Sequence, residues 1–271
     1  MRKVHSVVLA PSLENAAKIN AELQKIGNLK ADGRPILGLD TKKLLEIVLS
    51  VSEENVLIPA HIWTPHFSVF GSQSGFDTLK ECFEELTPKI TAIETGLSSD
   101  PAMNWRIGEL DNLAIVSNSD AHSAGKLGRE ANVFNTELNY KAITEAIRGK
   151  KKELEYTIEF YPEEGKYHLD GHRMCQTRME PKETKAKNFL CPKCGKRVTV
   201  GVMHRVETLA NHPEGRKPEG ARPFKSIIPL PEIIAEVEGA GVASKKVQTA
   251  YMNVLQKLGN DFHVLLDAPE E

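Results

Sequence analysis

Ile115–Ser123, IVSNSDAHS, is the stretch whose reading decides the fold. An apolar strand over Leu113–Val116 runs out into Ser119-Asp120-Ala121-His122. A strand that ends in Asp-x-His sets a carboxylate and an imidazole at its carboxyl end, where barrels and other α/β folds keep their chemistry. Such oxygen and nitrogen donors suit divalent metals such as Zn, Mn or Fe. Alone, Asp120-x-His122 reads equally as an Asp-capped turn beside a surface histidine. The neighbouring strand ends decide between the two.

Working outward, three more apolar runs finish on or near potential ligands. Lys3–Leu9 has strand character and contains His5. Val56–Ile62 carries His61 near its end. Ile90–Ile93 runs straight into Glu94. Helices alternate with these runs. Ser12 caps a helix to Ile26, and Asp40 or Thr41 caps a second with Leu44, Leu45, Ile47 and Val48 inward. Asp32-Gly33 reads as a turn between them. Asp77 starts a helix, Asp100-Pro101 opens another with the cap-then-proline signature, and Asn139–Arg148 is a helix stopped by Gly149. Alternating strand and helix implies a mostly parallel sheet or barrel, in which all four strand ends share one face. Four such ends point to a metal site at His5, His61, Glu94, Asp120 and His122. His5 is the weakest member, because it sits within its strand.

A net charge of -2 on 271 residues carries no global signal for nucleic acid. The sequence has no apolar run near 18 residues and no signal-peptide core, so a cytoplasmic protein without membrane contact is expected. Cys82 reads as core. Of the four cysteines, Cys175, Cys191 and Cys194 are clustered, which favours metal over disulfides in a reducing compartment. Cys191-Pro-Lys-Cys194-Gly is half of a zinc ribbon. His172-x-x-Cys175 supplies the other half, with His168 as the competing fourth ligand. A closed Cys₃His set means structural zinc. Arg173–Lys225 holds thirteen Lys and Arg against five Glu. That excess suits phosphate contacts and equally a solvated surface. Asn211–Arg222 (NHPEGRKPEGAR) reads as a mobile loop or linker. Ile227–Val237 and Ser244–Leu258 read as helices, and Phe262–Leu266 as a last short strand or edge segment.

The order His5, His61, Glu94, Asp120-x-His122 resembles the later motifs of the PHP (polymerase and histidinol phosphatase) domain. Longer stretches are similar to endonuclease Q and its bacterial relatives: GNLKADGRPILGLD, PAHIWTPHFSVFGSQSGFD, AIETGLSSDPAMNWR, SNSDAHSAGKLGREANVFNTEL, YHLDGHRMC and CPKCGKRVTVGVMHRVETLA. The resemblance covers nearly the whole chain. It implies a distorted β/α barrel and a metal-dependent DNA-repair endonuclease. That family cuts the phosphodiester 5′ to uracil, hypoxanthine, xanthine or an abasic site. PHP domains open with a strand ending His-x-His, whereas only Met1–Val4 precede His5 here. The expectation is therefore an amino-terminally truncated member, active only in part or not at all by itself.

The expected organisation is a PHP-type α/β barrel portion over 1–152 and a zinc-ribbon module over 153–210. A linker or loop over 211–226 and a carboxyl-terminal helical region over 227–271 follow. Divalent Zn, Mn or Mg at the active site would activate a water for attack on phosphorus, with Glu94, Asp120 and His122 as catalytic residues. Damaged DNA is the expected partner, with replication or repair proteins beside it. Base-repair chemistry takes the nucleotide out of the stack. Trp63, Phe67 and Phe70 either line a pocket for such a base or plug the barrel mouth. His66 is a substrate contact or a loop residue. Lys126 and Arg129 either grip phosphate or stay solvated. Two other readings stand beside the endonuclease: a non-catalytic DNA-binding scaffold, and a small-molecule phosphoesterase, for which a zinc ribbon and basic region would be superfluous.

Overall fold

The computed structural model describes residues 2–31, 35–73, 75–149 and 152–269; the turn expected at Asp32-Gly33 lies outside them. In chain order the elements are β1 (Ser6–Leu9), α1 (Leu13–Gln24), α2 (Thr41–Val51), β2 (Val56–Pro59), α3 (Leu79–Phe83), β3 (Ala92–Glu94) and α4 (Pro101–Asn104). Then follow β4 (Ala114–Val116), β5 (Ala131–Phe134), α5 (Tyr140–Arg148), β6 (Leu154–Phe160), β7 (Asp170–His172), β8 (Thr177–Met179) and α6 (Pro181–Ala186). The chain ends with α7 (Val202–Leu209), β9 (Phe224–Ile227), α8 (Leu230–Glu238) and α9 (Lys245–Leu258).

Local chemistry sets most helix starts. The hydroxyl of Ser12 accepts from the Asn15 amide, and the side chains of Asp100 and Asn139 accept from Met103 and Ala142. Pro101 follows its cap at the first helical position, where no amide hydrogen is needed. At α3 the cap is Thr78, one residue beyond the expected Asp77. Asp40 precedes α2 without a side-chain cap bond.

The fold is mixed α/β, and the expectation of a mostly parallel sheet is corrected. β1 pairs antiparallel with β2, and β3 pairs parallel with β4. β5 and β6 are antiparallel, and β6 and β9 are parallel. The reason lies in the connections. Two helices, α1 and α2, separate β1 from β2, so the chain returns in the opposite direction. β2 passes to β3 through the bond from the Ile62 amide to the Glu94 carbonyl. Beyond β4, Ser117 bridges to the next sheet through Asn132 and the Ile158 carbonyl.

One large core holds Trp63, Val69, Phe70, Phe83, Leu45, Val48, Val202 and Val206, all nearly inaccessible. Each fully buried side chain of this size contributes about 1.5–3 kcal/mol. A second cluster, with Val56, Ile58, Ala114, Val116, Ile147 and Leu154, packs α5 on the strands. β7, β8 and the Cys191 turn share only a small core of Met179, Cys191 and Val198. Residues 211–222 form a loop held by Arg216, which makes a two-pronged bond to Asp111 and donates to the Trp105 carbonyl. Another expectation changes. His263–Asp267 is helical rather than a strand. α8 starts at Leu230 because β9 occupies the chain as far as Ile227. Among the described residues no helix is long and apolar enough to cross a membrane.

Candidate active site and metal centre

Antiparallel pairing determines where the first ligand lies. His5 stands at the amino end of β1, and β1 runs against β2, so His5 faces the carboxyl end of β2 where His61 follows. Their ring nitrogens, His5 Nδ1 and His61 Nε2, are 3.0 Å apart. Two cis ligands at about 2.0–2.1 Å from one metal would be separated by a similar distance. The Phe67 ring stacks on His5 at 4.9 Å between centroids, and the Phe67 carbonyl accepts the His5 amide at 2.8 Å.

Glu94 ends β3 and is buried. Its Oε2 accepts the His61 amide at 2.7 Å, and its Oε1 accepts Asn118 Nδ2 at 2.6 Å. Burial raises its carboxyl above the ordinary range, Asp120 adds to the rise, and the two donors oppose it. Backbone strain collects here: His61, Phe67, Leu97 and Asp120 all have positive φ. Gly96 is required opposite His61, since an added Cβ would lie 2.3 Å from the His61 Cβ.

His5, His61, Glu94, Asn118, Asp120 and Phe67 line one cavity of about 1360 Å³. His122 does not line it. That side chain is exposed, and its Nδ1 bonds the Asp120 carbonyl at 2.8 Å. Among the described residues the donor atoms of His5, His61, Glu94, Asp120 and His122 do not converge into a group that could hold an ion. The histidine pair fits a metal, while the five donors as a set lie too far apart to share a single ion.

Trp63 and Phe70 are not pocket walls, which corrects that part of the expectation. Both rings are fully buried, packed 4.9 Å apart, and Trp63 Nε1 donates to Asn104 Oδ1 at 2.8 Å. Phe67 alone of the three aromatics faces the cavity. His66 is exposed. Lys126 pairs with Glu232 of α8 at 3.0 Å, and Arg129 Nε donates to the Ser119 carbonyl at 2.9 Å. Arg129 thus ties down the Asp120 loop.

Sequence reading missed four residues that frame the site. Asn118 holds Glu94, and Asn132 holds both Ser117 and Asn118. Glu159 is wholly buried and accepts the hydroxyls of Thr95, Ser117 and Thr157. Burial pushes its carboxyl up to about 7. Glu130 is raised as well, first by burial and then by Glu159, and it accepts the Leu97 amide at 2.9 Å. The two asparagines lie within SNSDAHSAGKLGREAN, where a polar strand end was the available signal. Glu159 sits mid-strand in LEYTIEF, where alternation alone suggests an ordinary exposed acid.

The second group converges fully. Donor atoms of His172, Cys175, Cys191 and Cys194 all lie within 4.8 Å of one another. His172 Nδ1 is 3.3 Å from Cys194 Sγ. His168 is not part of the group, and its Nδ1 is buried without a hydrogen-bond partner among the described residues. Gly195, at φ +69, lets the chain turn so that its amide returns to the Cys191 carbonyl at 2.8 Å. A bond from the Thr177 hydroxyl, helped by the Lys193 and Cys194 amides, lowers the Cys191 thiol to about 6. The lowering favours the thiolate, which is the ligating form. Cys175 is raised to about 11, first by Cys194, so metal binding there must displace a proton. The set fits a metal ion.

Comparison with known proteins assigns the class first. Residues 107–151 match a family profile described as PHP-associated, and residues 229–271 match one described as the MJ0043 C-terminal domain. The protein MJ0043 of Methanocaldococcus jannaschii is 36% identical over 218 residues. YqxK of Bacillus subtilis is 29% identical over 279 aligned residues. The chain spans 26% of the first of these relatives and 64% of the second. The crystal structure of the lesion-specific endonuclease PfuEndoQ from Pyrococcus furiosus superposes at a TM-score of 0.87 with 31% identity, covering 98% of this chain and 66% of that one. An endonuclease Q complex with a 27-mer duplex, with an abasic lesion at its active site, superposes at 0.89 with 30% identity, covering 99% and 67%. The chain belongs to the endonuclease Q family.

Proposed function

We propose that this chain belongs to a metal-dependent DNA-repair endonuclease that hydrolyses the phosphodiester 5′ to a deaminated base or an abasic site. The observation that carries the reading is the strand-end cluster. His5, His61, Glu94 and Asp120 meet at one cavity, in a fold superposing at 0.89 on an endonuclease Q with an abasic duplex. Divalent Zn, Mn or Mg held there would supply a water acidic enough to attack phosphorus and would neutralise charge on the phosphate. His5 and His61 would be ligands, and Glu94 and Asp120 would be ligands or proton acceptors. His122 would join them only after its loop turns inward. Phe67 would face the displaced base, and Lys126, released from Glu232, a phosphate. Zinc at His172, Cys175, Cys191 and Cys194 would be structural. We place the protein in the cytoplasm with damaged DNA as its partner.

A second reading has one observation in its favour. The active-site donors do not converge on an ion here, as a DNA-binding scaffold without catalysis would allow. Incubation of the purified chain with Mg, Mn or Zn and duplexes carrying uracil, hypoxanthine or an abasic site separates the two. Incision 5′ to the lesion, at least 100-fold lower in Asp120→Ala, supports the endonuclease. Tight lesion binding without incision under any metal, also after a segment bearing His-x-His is added, refutes it.

A further inference from the structure

We propose that the Cys₃His centre controls the candidate active site through a buried positioning pair, Asp170 and His204. The inference rests on reading that cluster as a metal centre. Asp170 lies two residues before the ligand His172 on β7 and is wholly inaccessible. Its Oδ2 takes His204 Nδ1 at 2.5 Å, and its Oδ1 takes the Gly201 amide at 2.6 Å. Both partners belong to the start of α7, and the His204 ring stacks on Phe189 of the module. Backbones touch at this junction. A Cβ on Gly201 would lie 2.4 Å from the Leu169 carbonyl carbon, so β7 and α7 leave no room for slippage.

From α7 the path continues to the cavity. Val202 and Val206 are buried in the main core. Arg205 donates to the carbonyls of Phe70 and Phe76, both at 2.9 Å, and to Asp77 at 2.6 Å. Ser72 donates to the Val200 carbonyl at 2.9 Å, from the same loop. That loop carries Phe67, which stacks on His5 and takes its amide. The metal module and the His5–His61 pair are therefore joined by hydrogen bonds at each junction, with the backbone of α7 and of the loop after β2 carrying the path between them.

The element with two states is the module. Its hydrophobic core is three buried residues, Met179, Cys191 and Val198. A core of that size does not hold a hairpin and a turn together, so metal coordination is what folds it. Loss of the ion frees β7, Asp170 leaves His204 and Gly201, and the anchor of the loop after β2 loosens with them. Coupling of this kind needs a direct measurement at both ends.

Native-state hydrogen exchange by mass spectrometry provides it, read at residues 168–200 and at residues 64–77 of the full chain. Cys191→Ser is expected to raise exchange at least tenfold in both regions. Asp170→Asn keeps all four ligands and about one metal per chain, yet raises exchange several-fold at residues 64–77. Chelation of the wild-type chain, followed by return of Zn, should open and reclose residues 64–77, which serves if a variant fails to fold. Exchange at residues 64–77 staying within twofold of wild type while residues 168–200 open would overturn the coupling. Absence of any bound metal after Zn titration would instead overturn the metal centre itself, and the coupling with it. Neither outcome depends on DNA incision.

Discussion

Replacing Glu159 by Gln tests whether the structure places an acid where its charge is costly. The side chain is fully inaccessible, and three hydroxyls, from Thr95, Ser117 and Thr157, are its partners. Burial raises its carboxyl from the ordinary 4.5 to about 7. A raised carboxyl binds its proton more tightly in the folded state. Its contribution is therefore fully present below about pH 4.5 and is lost as pH rises through about 7, amounting to roughly 3 kcal/mol. Glutamine keeps the shape, accepts from two hydroxyls and donates to the third, and carries no charge. Urea unfolding of both proteins at pH 5 and pH 8 isolates the effect, since the other titrating groups are shared. The variant should gain about 2.5 kcal/mol relative to wild type on going from pH 5 to pH 8. Loss of the Glu159 charge also relieves Glu130, which acts in the same direction. Parallel stability curves for the two proteins across that interval would refute the reasoning.

Other substitutions probe the frame of the site. Gly96→Ala forces a side chain into a position at φ +59 with its Cβ 2.3 Å from the His61 Cβ. It should cost about 1–3 kcal/mol in denaturant unfolding and displace His61 from its place beside His5. Asn104→Ala leaves the buried Trp63 Nε1 hydrogen without an acceptor and should cost about 1–3 kcal/mol, measured in the same way. His122→Ala removes an exposed side chain and should leave stability within about 0.5 kcal/mol, while lesion incision falls if the loop turns inward during catalysis.

How much of this was legible from the residues alone depends on range. Strand ends at His61, Glu94 and Asp120 could be read because an apolar run followed by a polar stop is local. The caps at Ser12, Asp100 and Asn139 could be read for the same reason, each acting within three residues. The cysteine spacing likewise announced a metal-type cluster, and the structure closes it with His172. The aromatic residues after β2 show the limit. Trp63, Phe67 and Phe70 are chemically alike in sequence, yet only packing assigns Phe67 to the cavity and the other two to the core.

Hydrophobic pattern and motif spacing were thus enough to announce an α/β chain with polar strand ends and a separate cysteine cluster. Tertiary structure alone decided three matters. It reversed β1 against β2, which turned His5 from a mid-strand residue into the neighbour of His61. It turned His122 out of the cavity and gave Lys126 and Arg129 protein partners. It also set Glu159 beneath the site, through contacts that span 42 and 64 residues. The physical reason is common to all three. Strand direction, side-chain orientation and the burial of a charge are set by what the folded chain brings alongside, and a local stretch of sequence does not contain those neighbours.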